Sequence, residues 1–188
     1  MPASMHNPPE VAVREASRQV LTFVLGGETH GVDILRVQEI RGWSAVTKIP
    51  HAPAHVLGVL NLRGSIVPIV DLRMRFALGR AEYTAITVII VTSVVTPVGR
   101  RDIGVVVDGV SDVVDLDCTE IKPAPELGAR GATDYILGLA SITDRMVVLL
   151  DIDRLIGRDL SVMAGAAGET SDPGAPRPGS GAPAADVA

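Results

Sequence analysis

Writing the stretch from His55 to Asp71 above the stretch from Tyr135 to Asp151 superimposes Leu57 on Leu137, Gly58 on Gly138, Val67 on Val147 and Asp71 on Asp151 without a gap. Earlier segments correspond too: Val37-Gln-Glu-Ile40 resembles Val110-Ser-Asp-Val113, each preceded by a Gly-Val pair, at Gly31 and Gly104, and followed by a proline, at Pro50 and Pro123. Such a chain is duplicated, and the duplication constrains the fold more than any local propensity does. Each unit holds roughly 65 to 70 residues, a size at which a single small core is marginal. Two fused barrels that share or exchange strands are therefore expected, in place of two independent beads.

Within the units the apolar pattern is that of short strands between turn signals. Val20 to Leu25 ends at Gly26-Gly27, Ser65 to Val70 follows Arg63-Gly64, and Ile103 to Val107 runs into Asp108-Gly109. Ile86 to Val95 is about half the ~20 residues a membrane-crossing helix needs and is rich in Ile, Val and Thr, so it reads as a buried strand. Short helical turns are expected at Ile34 to Ile40, Leu72 to Leu78 and Ile152 to Ile156, where charged and aliphatic residues recur at spacings of three and four. The segment from Val95 to Asp102 reads as a lengthened hairpin connection carrying Arg100 and Arg101. The pattern divides the chain into an arm at residues 1–17, a folded part at 18–160 and an Ala/Gly/Pro-rich tail at 161–188. Neither end has an apolar period to bury, so both are expected to be disordered.

Composition excludes several function classes. A net charge of −5 in 188 residues leaves no surplus of cations for nucleic-acid phosphates or an anionic membrane. Aromatic residues make up 3% of the chain, too few to stack bases or sugars. The N-terminus has no cationic segment followed by an apolar one, and the single cysteine, Cys118, can form neither an internal disulfide nor a thiolate cage, which points to the cytosol. No catalytic elbow, phosphate loop, dinucleotide fingerprint or zinc-protease motif is present, so no enzyme activity and no cofactor are expected. His51 and His55 lie four apart, but Pro50 and Pro53 oppose a helix across them and no third ligand is evident, so no metal is expected. The carboxylates Asp108, Asp112, Asp115, Asp117 and Glu120 lack calcium-loop spacing and alternate with aliphatic residues, as a half-solvated strand would.

Binding must then use outer faces, edges or the groove between two barrels, since barrels this small are filled by side chains. Asn61-Leu62-Arg63-Gly64 reads as a tight turn that holds Arg63 outward, either as a two-pronged carboxylate ligand or as a solvated cation. Val37-Gln38-Glu39-Ile40-Arg41 poses the same choice between interface and wet side of a core segment.

Several long motifs in order give the chain a family resemblance. Gly31 to Gly42, Gly58-Val-Leu-Asn-Leu-Arg-Gly64 with Ile66 to Leu72, Gly104 to Val113, Ile121 to Glu126 and Asp144 to Asp151 are similar to the CheW coupling proteins of bacterial chemotaxis. The resemblance implies a mainly β fold of two intertwined, five-stranded barrels, SH3-like or OB-like, without catalytic activity. It implies a cytoplasmic scaffold in membrane-associated receptor arrays that bridges the cytoplasmic tip of chemoreceptors to the regulatory domain of the histidine kinase CheA. Carried over by motif, Gly58, Arg63, Val88, Val110 and Val113 match positions used toward the receptor. Leu21, Ile34, Val37 and Glu39 match positions near the kinase contact, with the partner of the Val37 to Glu39 segment left open. Val110 and Val113 read equally as core. Trp43 is either a packed anchor or an interface contact. An oligonucleotide-binding barrel is the alternative from architecture alone, opposed by charge and by the scarcity of aromatics.

Overall fold

The computed structural model describes residues 17–79, 82–96, 99–124 and 133–157, so the bulk of the expected arm and tail lies outside the described residues. Alternating apolar runs form ten strands: β1 (Ser17–Leu25), β2 (Glu28–Asp33), β3 (Val37–Gly42), β4 (Val56–Leu62), β5 (Ser65–Asp71), β6 (Val88–Thr96), β7 (Gly99–Val107), β8 (Gly109–Asp117), β9 (Ile136–Ile142) and β10 (Arg145–Leu150). Two-residue hairpins join β1 to β2, β4 to β5 and β9 to β10. Both central residues have positive φ in each: Gly26 and Gly27, Arg63 and Gly64, Thr143 and Asp144, the geometry that suits strand twist.

The strands make two five-stranded mixed sheets, ordered β8-β1-β2-β10-β9 and β3-β6-β7-β5-β4. Replacing each strand by its counterpart five places along the chain turns one order into the other. The hairpin β1-β2 of the first unit therefore sits in the sheet of β8, β9 and β10, and β6-β7 sits in the sheet of β3, β4 and β5. The exchange is cemented by two parallel ladders, β2 with β10 and β5 with β7.

Each sheet is curled by a bridge between its two edges. Beyond β3 the chain crosses to β4, where Thr47 N–H donates to Val59 O at 2.9 Å and Val59 N–H donates back at 2.8 Å. Beyond β8, Lys122 and Leu139 exchange the same two bonds, each at 2.8 Å. Both bridges need a backbone approach that only glycine allows. A Cβ on Gly58 would lie 2.1 Å from Thr47 O, and one on Gly138 would lie 2.6 Å from Lys122 O. The repeated glycine of the sequence is thus a closure device.

Three apolar clusters follow. Val20, Leu116, Ala140, Val147 and Leu149 fill the first sheet, and Val67, Ile69, Ile89, Val91 and Val106 fill the second. A larger cluster, including Leu21, Phe23, Leu25, Val70, Ile90, Val105 and Leu150, lies between the sheets. Central strands are buried on both faces, which is why the β6 segment reads as a continuous apolar run rather than an alternating one.

Helix α1 (Leu72–Arg75) is started by the buried Asp71, whose carboxylate accepts from Arg73 N–H at 2.8 Å and from Met74 N–H at 3.3 Å. Its counterpart spans residues 152–157, with Asp151 in the same role toward Arg154 N–H. Each helix clips onto the other unit: Arg73 pairs with Asp108 at 2.8 Å, and Asp153 pairs with Arg36 at 2.6 Å. Arg73 and Asp153 are counterparts in the repeat, and Arg36 lies one residue from the counterpart of Asp108, so the two clips occupy neighbouring places with their charges exchanged.

Two local expectations are corrected. The helix expected over Ile34 to Ile40 is only a 3-10 turn, Ile34–Arg36, begun by the Asp33 carboxylate on Leu35 N–H. The rest is β3, because Val37–Gly42 pairs with β6 along its length, with one irregularity between Val37 and Glu39. The β6-β7 connection is not a lengthened loop either. Pairing continues out to Thr96↔Gly99, so the strands themselves are extended.

The few rings pack in stacks. Phe23, His30, Phe76 and Tyr135 form a column with successive centroids 5.7, 6.0 and 5.4 Å apart, beside a cavity of about 250 Å³. Burial in this column pushes the His30 imidazole below its ordinary pKa of 6.5, partly offset by the Glu28 carbonyl and carboxylate.

Two outcomes follow. Gly58→Ala and Gly138→Ala should each destabilise by at least ~2 kcal/mol in urea unfolding, whereas Gly42→Ala, with open space around it, should stay within about 0.5 kcal/mol. His30 binds a proton more weakly folded than unfolded, so its contribution to stability is present above pH 6.5 and lost as pH falls below it. His30→Phe should flatten the fall in thermal midpoint measured between about pH 7.5 and 5.5.

Candidate interaction surface

The edge strands β3 and β8 are counterparts, one on each sheet. Val37 and Ile40 on β3 occupy the places of Val110 and Val113 on β8, as the repeat in the sequence anticipates. Three residues apart on a regular strand, Val110 and Val113 would point to opposite faces. A bulge in β8 prevents this: Val113 pairs with Leu21 and Val110 with Phe23, leaving two β8 residues opposite Thr22. Thr22 holds the bulge through its hydroxyl, which donates to Asp112 O at 2.8 Å and accepts from Asp112 N–H at 3.1 Å. Both valines therefore share the face of Leu21 and Phe23. A register shift between Val37 and Glu39 does the same for β3.

Burial then grades outward from the shared core. Leu21 is 2% exposed and lies within it. Ile34, Val37, Val88 and Val110 are half-buried against its rim. Ile40 and Val113 stand out at 43% and 50% exposure. Gly58 is buried at the Thr47 bridge, so its influence on any partner runs through the fold. Arg63 projects from the β4-β5 turn, its side chain 86% exposed, with Nη2 3.3 Å from Glu39 Oε2. The turn is fixed by Asn61 Oδ1, which accepts from Gly64 N–H at 2.9 Å. This ion pair joins the two edges of the curled second sheet, and it brings together two residues read as belonging to different partners.

Trp43 packs on the second-sheet cluster and stacks on Tyr83 with centroids 4.0 Å apart, and the Tyr83 hydroxyl donates to Asp71 Oδ2 at 2.8 Å. It is an anchor in the isolated chain. Most of the acidic segment has structural work: Asp108 accepts from Gly26 N–H and pairs with Arg73, Asp112 sits in the bulge, and Asp117 caps a 3-10 turn. The Thr119 N–H and hydroxyl hold the Asp117 carboxyl below its ordinary pKa. Among the described residues no three His, Cys, Asp or Glu side chains gather as metal ligands would. Ile40, weighed in sequence only as part of its segment, and Ile66 and Met146, given no partner there, are exposed at 43%, 63% and 58%. The repeat signals Ile40 as the mate of Val113.

Comparison with known proteins places this arrangement. The CheW-like domain family matches residues 19–160. The chain is 45% identical over 150 residues to the chemotaxis protein CheW of Klebsiella aerogenes, covering 80% of this chain and 88% of the relative. It is 40% identical to CheW of Rhizobium meliloti over 136 residues, covering 72% and 85%. The crystal structure of the scaffolding protein TtCheW from Thermoanaerobacter tengcongensis superposes with a TM-score of 0.66 at 30% identity, covering 74% of this chain and 92% of that one.

If Thr22 sets the facing of Val110 and Val113, Thr22→Val should cost about 0.5–1.5 kcal/mol by removing both hydrogen bonds between the Thr22 hydroxyl and the Asp112 backbone. Hydrogen exchange at the Asp112 amide should speed up, measured against Thr29→Val, which lies outside the bulge.

Proposed function

The chain belongs to the CheW family of chemotaxis proteins, and from that premise we propose that it links the cytoplasmic tips of chemoreceptors to the regulatory domain of the histidine kinase CheA. It is a scaffold rather than a catalyst. The observation that carries the reading is the pair of counterpart edges, β3 and β8, each presenting a half-buried valine and an exposed aliphatic residue on one body with a shared core. Two related surfaces on one rigid piece suit an adaptor that touches two proteins at once. The receptor contact is assigned to Arg63, Val88, Val110 and Val113, positioned by Gly58; the kinase contact to Ile34, Val37 and Glu39, supported from beneath by Leu21.

Small aliphatic side chains at the rim of a core suit the apolar stripe of a helix, and a cation beside them fixes orientation. The Arg63–Glu39 pair gives the two contacts a common boundary, so a receptor carboxylate that draws Arg63 away alters the setting of Glu39. A scaffold can bias the kinase only by binding its two states differently, and such a shared boundary supplies a physical means. No helix among the described residues is long and apolar enough to cross a membrane. We place the protein in the cytoplasm, recruited to membrane-associated receptor arrays. The stacks formed by Phe23, Phe76, Tyr135, Trp43 and Tyr83 commit the rings to packing and leave an oligonucleotide without a platform.

Reconstitution with receptor-bearing membranes and kinase, read by co-sedimentation and kinase activity, tests the reading. Arg63→Glu should weaken receptor association at least tenfold while the thermal midpoint moves by no more than ~2 °C, because so exposed an ion pair contributes little to stability. A large stability loss with normal binding by the folded fraction would contradict the role of Arg63. Mutually exclusive occupancy by receptor and kinase would overturn the adaptor itself.

A further inference from the structure

The two sheets match strand for strand, so a place where they differ carries information. In the first sheet the parallel ladder runs from Val147↔Thr29 to Leu150↔Val32. In the second it runs only from Ile69↔Gly104 to Asp71↔Val106. The counterpart of Val147↔Thr29 is Val67↔Asp102, and that pair is not formed. The cause is one residue. Position 68 is proline where the second unit has Val148. Val59 spends both its backbone groups on Thr47, so at the Val59↔Pro68 pair the backbone of Pro68 is turned away from β4 and toward β7. Val148 lies opposite Leu139, held by Lys122 in the same way, and faces β2 with an N–H to donate. Pro68 has none, so the ladder stops and the strands part.

Between them lies an open cleft of about 280 Å³, walled by Ser65 to Pro68 on one side and Arg100 to Asp102 on the other. By the alternation of the strand, Ile66 turns its N–H and C=O into the cleft. Asp102, two residues before Gly104, does so from β7. On that side the pairing of β5 with β7 ends at Ile69↔Gly104, short of both residues. Ile66 forms an apolar lip at 63% exposure. Arg100 and Arg101 are exposed, and among the described residues neither makes an ion pair, in a chain whose net charge is −5.

We propose that this cleft takes an extended acidic segment of a partner protein, which adds as a short strand along β5 with its carboxylates beside the exposed arginines of β7, Arg100 on one face and Arg101 on the other. Backbone groups on a parted edge are what strand addition uses, and the flanking cations select the charge of the incoming chain. The cleft begins two residues beyond Arg63, and none of its lining residues is among those assigned to receptor or kinase.

The test uses the isotope-labelled full-length chain titrated with the pentapeptide Val-Asp-Val-Asp-Val, with Val-Lys-Val-Lys-Val as control. The acidic peptide should give saturable amide shifts at Ile66, Arg100 and Asp102 and slow hydrogen exchange at Ile66 and Asp102. The lysine peptide, and the acidic peptide against Arg100→Glu/Arg101→Glu, should bind at least about tenfold more weakly. Pro68→Val restores the missing donor. It should zip the strands, protect the Asp102 amide without peptide, and abolish peptide shifts while the chain stays folded. The proposal is overturned if the acidic peptide shifts nothing in the cleft, if both peptides bind alike, or if the Ile66 and Asp102 amides are already protected in the free protein. It is equally overturned if the folded Pro68→Val variant binds the peptide as well as the parent does.

Discussion

The parallel ladders β2–β10 and β5–β7 are the interaction on which the rest of the molecule depends. Each joins a hairpin of one unit to the three remaining strands of the other, so neither sheet exists without both halves of the chain. Parallel pairing between segments this distant along the chain is entropically expensive to close. It is offset by the apolar cluster that both sheets bury together, in which each fully buried aliphatic side chain contributes about 1.5–3 kcal/mol. The interface between the sheets is thus the largest core of the protein, and the surfaces assigned to partners are its rim. A partner seated there contacts the layer that holds the two units in register.

Duplication followed by divergence explains the layout of function. β3 and β8 began as one edge and now differ in their neighbours: β3 shares its sheet with the Arg63 turn, and β8 runs past Thr22 into the acidic segment. The receptor and kinase surfaces proposed for this CheW protein are therefore two versions of one solution. Their common feature is a strand irregularity that turns two aliphatic residues three apart onto the same face.

Much of this was legible in the chain. Apolar alternation and glycine-rich turns located most of the strands, the Arg63-Gly64 reversal was visible as a turn, and the internal repeat favoured two fused barrels that share or exchange strands. The repeat also paired Gly58 with Gly138, although spacing alone could not show that each sits under a carbonyl. What escaped depended on partners far away in sequence. Period arguments treated Val110 and Val113 as ambiguous because the residue that settles their facing, Thr22, lies some 90 positions earlier. The segment after Asp33 carries helical spacing and strand spacing together, and only pairing with β6 decides between them. Leu21 and Gly58 matched a family pattern for partner contacts, and spacing alone did not show that both are buried in the fold.

The two helix clips have a further consequence. Arg73 meets Asp108 and Asp153 meets Arg36, at neighbouring places in the repeat with opposite polarity. Were the first halves of two molecules to embrace each other, Arg73 would confront Arg36; were the second halves to do so, Asp153 would confront Asp108. Like charges at both locks penalise every such homotypic embrace and leave the heterotypic one unopposed. A protein built from near-copies of one motif thereby carries, in four side chains, its own bar to the self-pairing of like halves.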